Sequence, residues 1–139
     1  MKWPGARAPF RVRSATLAAM SFGTDDLLRL AAAEEVEIET EAPDGSVHRT
    51  IIWVVVDGDG TFIRSFRGPA ARWYVESLAN PAVAIHVDGR RLAATAIAAT
   101  DPDSIERVSA AMRAKYPDAS ATESMATAFL ETTLRLEPT

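Results

Sequence analysis

The sequence predicts an α+β fold dominated by antiparallel strands, a small barrel of about six strands with flanking helices. Three observations carry this. Short β-branched runs follow one another across tight turns, as hairpins do. A single helix-like segment interrupts them, which does not generate the repeated βαβ units of a parallel sheet. The 139 residues are 47% hydrophobic, enough to bury one continuous core in one domain. With many strands, little chain and exposed edges to avoid, closure of the sheet into a barrel is the economical solution.

The elements follow in order. Thr24 can cap a first helix, with Asp25 and Asp26 at its positive end and Leu27, Leu28, Leu30 and Ala31 as its apolar face. Val36 to Thr40 alternates apolar and acidic residues as a half-buried strand does. Pro43-Asp44-Gly45-Ser46 turns the chain into a long β-branched strand, Val47 to Val56. Asp57-Gly58-Asp59-Gly60 folds that strand onto Thr61 to Phe66. Gly68 and Pro69 suit a helix start ahead of residues 70 to 79, and Asn80-Pro81 stops it. Val83, Ile85 and Val87 mark a fourth strand, Asp88-Gly89 a turn, and Leu92 to Ala99 a fifth. Asp101-Pro102 opens a helix with Ile105, Val108 and Met112 on one face, and Pro117 ends it. Partly helical residues 120 to 130 and a short strand at Thr133, Leu134 and Leu136 complete the order αβββαββαα(β).

Composition narrows the function classes. The absence of cysteine removes disulfides, thiolate metal sites and cysteine nucleophiles, and fits a reducing, cytoplasmic setting. No apolar run approaches the roughly 18 residues of a membrane span. A net charge of −4 opposes general nucleic-acid binding, which needs a basic surface to displace counterions. Residues 1 to 19 carry Lys2, Arg7, Arg11 and Arg13 without an acid. They read as a flexible or non-native tail, either a targeting segment or sequence upstream of a start at Met20. Residues 20 to 139 then form the single domain.

Within this acidic chain, residues 64 to 72 hold Arg64, Arg67 and Arg72 and no acid. A helix beginning after Gly68 adds unpaired backbone N–H groups and the positive end of its dipole, and arginine adds bidentate donors, so phosphate is the matching ligand. In hairpin register Arg64 falls opposite Ile52 and Trp53, which brings Arg49 and Thr50 toward the same place. The plain alternative is a solvated arginine cluster paired with Glu76 and other acids. Trp53, Trp73 and Tyr74 could wall a planar ring or simply pack the core.

Thr50-Ile51-Ile52-Trp53, the Asp57 to Gly60 turn, Ile63-Arg64-Ser65 and Trp73-Tyr74 followed by Ala79-Asn80-Pro81-Ala82-Val83 resemble the FMN-binding split-barrel superfamily, the pyridoxamine 5'-phosphate oxidase-like proteins. The pattern is most similar to the deazaflavin (F420)-dependent nitroreductase branch, and Thr133 to Pro138 also resembles it. The resemblance covers roughly residues 34 to 138 and implies a homodimer with FMN or F420 at the subunit boundary. It further implies phosphate held at Arg49, Thr50, Arg64, Ser65, Arg67, Gly68 and Arg72, with the ring near Ile52, Trp53 and Trp73. Two departures stand out: Ile51 replaces the branch's proline, and Glu76-Ser77-Leu78 replaces its asparagine-leucine pair. Hydride transfer to a small electron-poor substrate would belong to the cofactor, with no catalytic side chain required.

Other signals are weak. His48 and His86 lack companions at metal-ligand spacing, Asp57 and Asp59 lack the rest of a calcium loop, and Ser65 is not in a nucleophile elbow. The competing functions are a non-catalytic carrier of a flavin, tetrapyrrole or lipid, and a dimeric scaffold whose pocket has filled, with Trp53 buried against Trp73.

Overall fold

The computed structural model describes residues 20–139. Helix α1 (Thr24–Ala32) leads into strands β1 (Val36–Glu41), β2 (Val47–Ile52), β3 (Val55–Asp57) and β4 (Gly60–Ile63). Helix α2 (Arg72–Ala79), strands β5 (Ala82–Val87) and β6 (Arg90–Ala98), helices α3 (Pro102–Lys115) and α4 (Thr122–Thr127), and strand β7 (Leu134–Pro138) follow. Two 3-10 turns, Gly68–Ala70 and Leu130–Thr132, precede α2 and β7. The expected α+β antiparallel architecture is present, with seven strands in place of six.

The seventh strand comes from a break in the expected strand at Val47 to Val56. The sheet order is β2-β1-β5-β6-β7-β4-β3, so β2 and β3 are neighbours in sequence but lie at opposite edges. Six strand spacings of about 4.8 Å would separate these edges by about 29 Å in a flat sheet. The link through Trp53 and Val54 reaches only about 10 Å. The sheet must therefore curl until its edges meet, and Trp53-Val54 is the seam of the resulting barrel.

Side chains facing into the curl form the main core, including Ile38, Ile63, Ile85, Leu134 and Leu136, each no more than 1% exposed. A second cluster lies on the other side of β3 and β4, where Val108 and Met112 of α3 pack against Val55 and Phe62. Covered on both sides, all four residues of β4 are buried. The last strand, expected only as a short terminal piece, lies inside the sheet between β6 and β4.

Local signals hold at the turns. Gly45, Gly58 and Gly89 have positive φ, and Asp44 Oδ1 accepts from Ser46 N–H at 2.9 Å, so the side chain helps close the first hairpin. Asp101 caps α3, accepting from Ser104 N–H at 3.0 Å. Two end assignments differ from expectation. Gly23, not Thr24, occupies the N-cap of α1, and Pro69 lies within the 3-10 turn while α2 starts at Arg72.

The end of α3 ties the seam down. Lys115 Nζ donates to Val54 O at 2.6 Å and Leu30 O at 3.0 Å, and the Tyr116 hydroxyl donates to Glu34 O at 2.8 Å, with Val54 O at 3.2 Å. Burial without a carboxylate partner pulls the Lys115 ammonium down to about 8. Between pH 8 and the ordinary lysine value of 10.5, the folded chain therefore holds fewer protons here than the unfolded chain. The sign follows: this group makes stability rise with pH across that window. Denaturant midpoints from about pH 7.5 to 9.5 should rise for the native chain and rise less for Lys115→Met. Equal slopes would remove Lys115 as the cause.

Candidate functional site

Where the seam, the segment after β4 and the start of α2 meet, an open cavity of about 960 Å³ forms. It receives Arg49, Thr50, Ile52 and Trp53 from β2 and the seam, Arg64 and Arg67 from the segment after β4, and Arg72 and Trp73 from α2. Ser65 and Gly68 do not line it. Antiparallel pairing explains the convergence: β3 and β4 fold back with Val55 opposite Phe62, which returns residues beyond Ile63 toward the seam.

The arginines divide into distinct roles. Arg64 borders the cavity but is 1% exposed, and its guanidinium is bonded within the protein. Nε donates to Thr133 Oγ1 at 2.7 Å, Nη1 to Ser109 Oγ and Met125 O at 2.9 Å each, and Nη2 to Ile105 O at 3.0 Å. With neutral acceptors only, burial lowers this group to about 10. Arg64, expected to face a phosphate, borders the cavity with its fork held by four oxygen acceptors from α3, α4 and the residue before β7. Arg49 donates to Glu37 Oε1 through Nε at 2.9 Å and Nη2 at 2.6 Å. Among the described residues, no ion pair engages Arg67 or Arg72, and both are exposed at the cavity.

Nor does Glu76 neutralise the cluster. It accepts from Thr40 Oγ1 at 2.7 Å and lies 3.0 Å from His48 Nδ1. Burial pushes its carboxyl up, but the bonds from Thr40 and His48 outweigh this and hold it below the ordinary value, while Arg72 contributes only charge at a distance.

Ser65 and Gly68 shape the turn from behind. Ser65 N–H donates to Thr132 Oγ1 at 3.0 Å and its hydroxyl to Gly68 O at 2.7 Å. Gly68 has φ +83°, and a Cβ there would come within 2.8 Å of the Phe129 ring. The chain then enters α2, whose N-cap Ala71 supplies no side-chain acceptor. The first-turn N–H groups, the positive helix end and two exposed guanidinium groups thus lie together, an arrangement suited to an anion.

The two tryptophans do not pack on each other. Trp53 stacks on Tyr116 with centroids 3.8 Å apart and planes 11° apart, leaving it half-buried at the cavity wall. Trp73 is 5% exposed and meets Tyr74 edge-on at 5.9 Å. The cavity between them is open, as a pocket filled by Trp53 against Trp73 would not be.

Glu35, Glu37, Ile51 and Phe66 also line the cavity, without being among the site residues expected from the sequence. Phe66 and Ile51 are 55% and 61% exposed, and the position of Phe66 inside the arginine segment was the available signal. Among the described residues no cluster of three or more metal-ligating side chains occurs. His86 is engaged with Glu39 at 2.7 Å, and the bonds from Arg91 and His86 hold that carboxyl down to about 2. No helix among the described residues is long and apolar enough to cross a membrane.

Comparison with solved structures identifies the fold as the split barrel of the pyridoxamine 5'-phosphate oxidase-like proteins. An F420 reductase superposes with a TM-score of 0.56 at 22% identity, covering 85% of this chain and 94% of that one. A putative pyridoxamine 5'-phosphate oxidase of Listeria innocua gives 0.58 at 14% identity, covering 82% and 90%. HutZ, a heme storage protein of Vibrio cholerae, gives 0.61 at 15% identity, covering 86% and 92%. A search of curated proteins finds no match. A family model described as an uncharacterised protein conserved in bacteria, DUF2255, matches residues 26–136.

Proposed function

We propose, from the premise that the chain belongs to the bacterial family DUF2255 and has the split-barrel fold, that it binds a flavin or deazaflavin and serves as an oxidoreductase. Its substrate would be a small electron-poor molecule. The observation that carries this reading is the cavity beside α2, where Arg67 and Arg72 stand exposed next to a helix start without a side-chain cap. The donor set fits a phosphate, and the half-buried Trp53 offers a flat wall for a ring.

When bound, the cofactor would supply hydride transfer. The chain's own part is to grip the phosphate with Arg67, Arg72 and the α2 N–H groups, orient the ring beside Trp53, and exclude water with Ile52 and Phe66. No acid–base side chain is assigned. A homodimer belongs to the same proposal: the cavity is open and Ile51 and Phe66 at its rim are exposed, as a partner subunit completing the site would require.

HutZ, a heme storage protein on this fold, favours one second reading, a carrier of a flavin, tetrapyrrole or lipid. Titrating the purified chain with FMN and with the deazaflavin coenzyme, following tryptophan quenching, tests the first. Micromolar binding and reduction of an acceptor by the loaded protein are expected. Binding without turnover would move the assignment to a carrier, and no binding of either ring would remove the flavin reading. Arg67→Ala and Arg72→Ala should each weaken FMN binding by about ten- to a hundredfold, the loss of a charge-assisted bond to phosphate.

A further inference from the structure

Two glutamates at the cavity suggest which ligand the site prefers, an inference that rests on the flavin reading. Of the four arginines in the lining, Arg64 is bonded within the protein and Arg49 is held by Glu37 at 2.6 Å. The charges left to meet a ligand are Arg67 and Arg72 on one side and Glu35 on the other. A second cavity of about 500 Å³ shares Glu35, Glu37, Arg49 and Ile51 with the first and extends to the Asp88-Gly89 turn. The two form one groove, cationic where α2 begins and acidic where β1 begins.

The placement follows from strand register. Glu37 stands opposite Ile51 of β2 and His86 of β5, so its side chain shares the outer sheet face with them. His86 in the second cavity adds no free cation, being engaged with Glu39. A ligand whose charge is gathered at one phosphate can seat it at Arg67 and Arg72. A ligand that continues into a chain of carboxylates meets Glu35 and Asp88 on extension along the groove, while Glu37 withholds Arg49 as a counter-charge for it.

We propose that Glu35 and Glu37 are specificity-determining residues that restrict this site to a ligand with a single terminal phosphate, such as a flavin mononucleotide, and reject one with an extended polyanionic tail. The deazaflavin coenzyme, with its oligoglutamate tail, is the rejected class. Like charges facing each other across a groove repel, and the effect is greatest where salt does not screen them.

The experiment compares binding of FMN, the tailed deazaflavin coenzyme and the same deazaflavin nucleoside without phosphate or tail, at low and high ionic strength. In the native chain FMN should bind at least about tenfold more tightly than the tailed coenzyme at about 0.02 M salt, with the gap shrinking above about 0.3 M. Glu35→Gln/Glu37→Gln should narrow that ratio by about tenfold, since it removes two negative charges and frees Arg49. Both glutamates are at least partly exposed, so the folded state should tolerate the change. Equal binding of FMN and tailed coenzyme, or a ratio unmoved by the double substitution, would overturn the inference while leaving the flavin reading intact. If neither FMN nor the tailless deazaflavin binds, the flavin reading falls and this inference falls with it.

Discussion

Replacing Arg64 by alanine should cost about 3–5 kcal/mol of folding stability, the largest effect expected from any single arginine among the described residues. The side chain is 1% exposed, and its guanidinium joins Ile105 and Ser109 of α3, Met125 of α4 and Thr133 just before β7. Truncation leaves a cavity and takes the donor away from four oxygens that water reaches poorly. Urea denaturation of Arg64→Ala should show a large drop in midpoint. Arg72→Ala, at an exposed position, should stay within about 0.5 kcal/mol of the native chain. The two arginines, eight positions apart, thus separate into one whose guanidinium is bonded within the fold and one proposed to meet the ligand. An Arg64→Ala protein as stable as the native chain but deficient in ligand binding would reverse that division.

Gly68→Ala should cost about 2–5 kcal/mol, from two sources that can be measured apart. At φ +83° any L side chain is strained, which contributes about 1–2 kcal/mol. The added Cβ would also lie 2.8 Å from the Phe129 ring, and displacing it contributes about 1–3 kcal/mol. Gly45 supplies the control, with φ +88° and nothing within 4 Å, so Gly45→Ala should show the backbone cost alone. In a double-mutant cycle, Phe129→Ala should relieve the second part of the Gly68→Ala cost. Phe129 itself has φ +51°, so the 3-10 turn before β7 and the turn before α2 are fitted to each other through this contact. Additive losses in the cycle would show that the ring does not constrain Gly68.

The turns were legible because their signals are local. Asp44-Gly45, Gly58 and Asp88-Gly89 supply the positive-φ residues that hairpins need, and Asp101 caps α3 within its own first turn. The break at Trp53-Val54 was not legible. Trp53, Val54 and Val55 continue the β-branched and aromatic character of β2, and only the sheet order makes the chain leave one edge there and join the other. The same limit applied to β7, whose place between β6 and β4 depends on pairing with distant segments.

The order of residues alone established the antiparallel α+β class, the clustering of arginines ahead of α2 and the turns that bring them near the seam. It did so because composition, alternation and turn chemistry act over a few residues. What each arginine touches depends on the fold. Arg64 is held by acceptors 41 to 69 positions away, Arg49 by Glu37 across a strand pair, and Arg67 and Arg72 are left at the cavity. A guanidinium has the same donors in every setting, so its role is set by which oxygens the fold brings within about 3 Å, and those lie far along the chain.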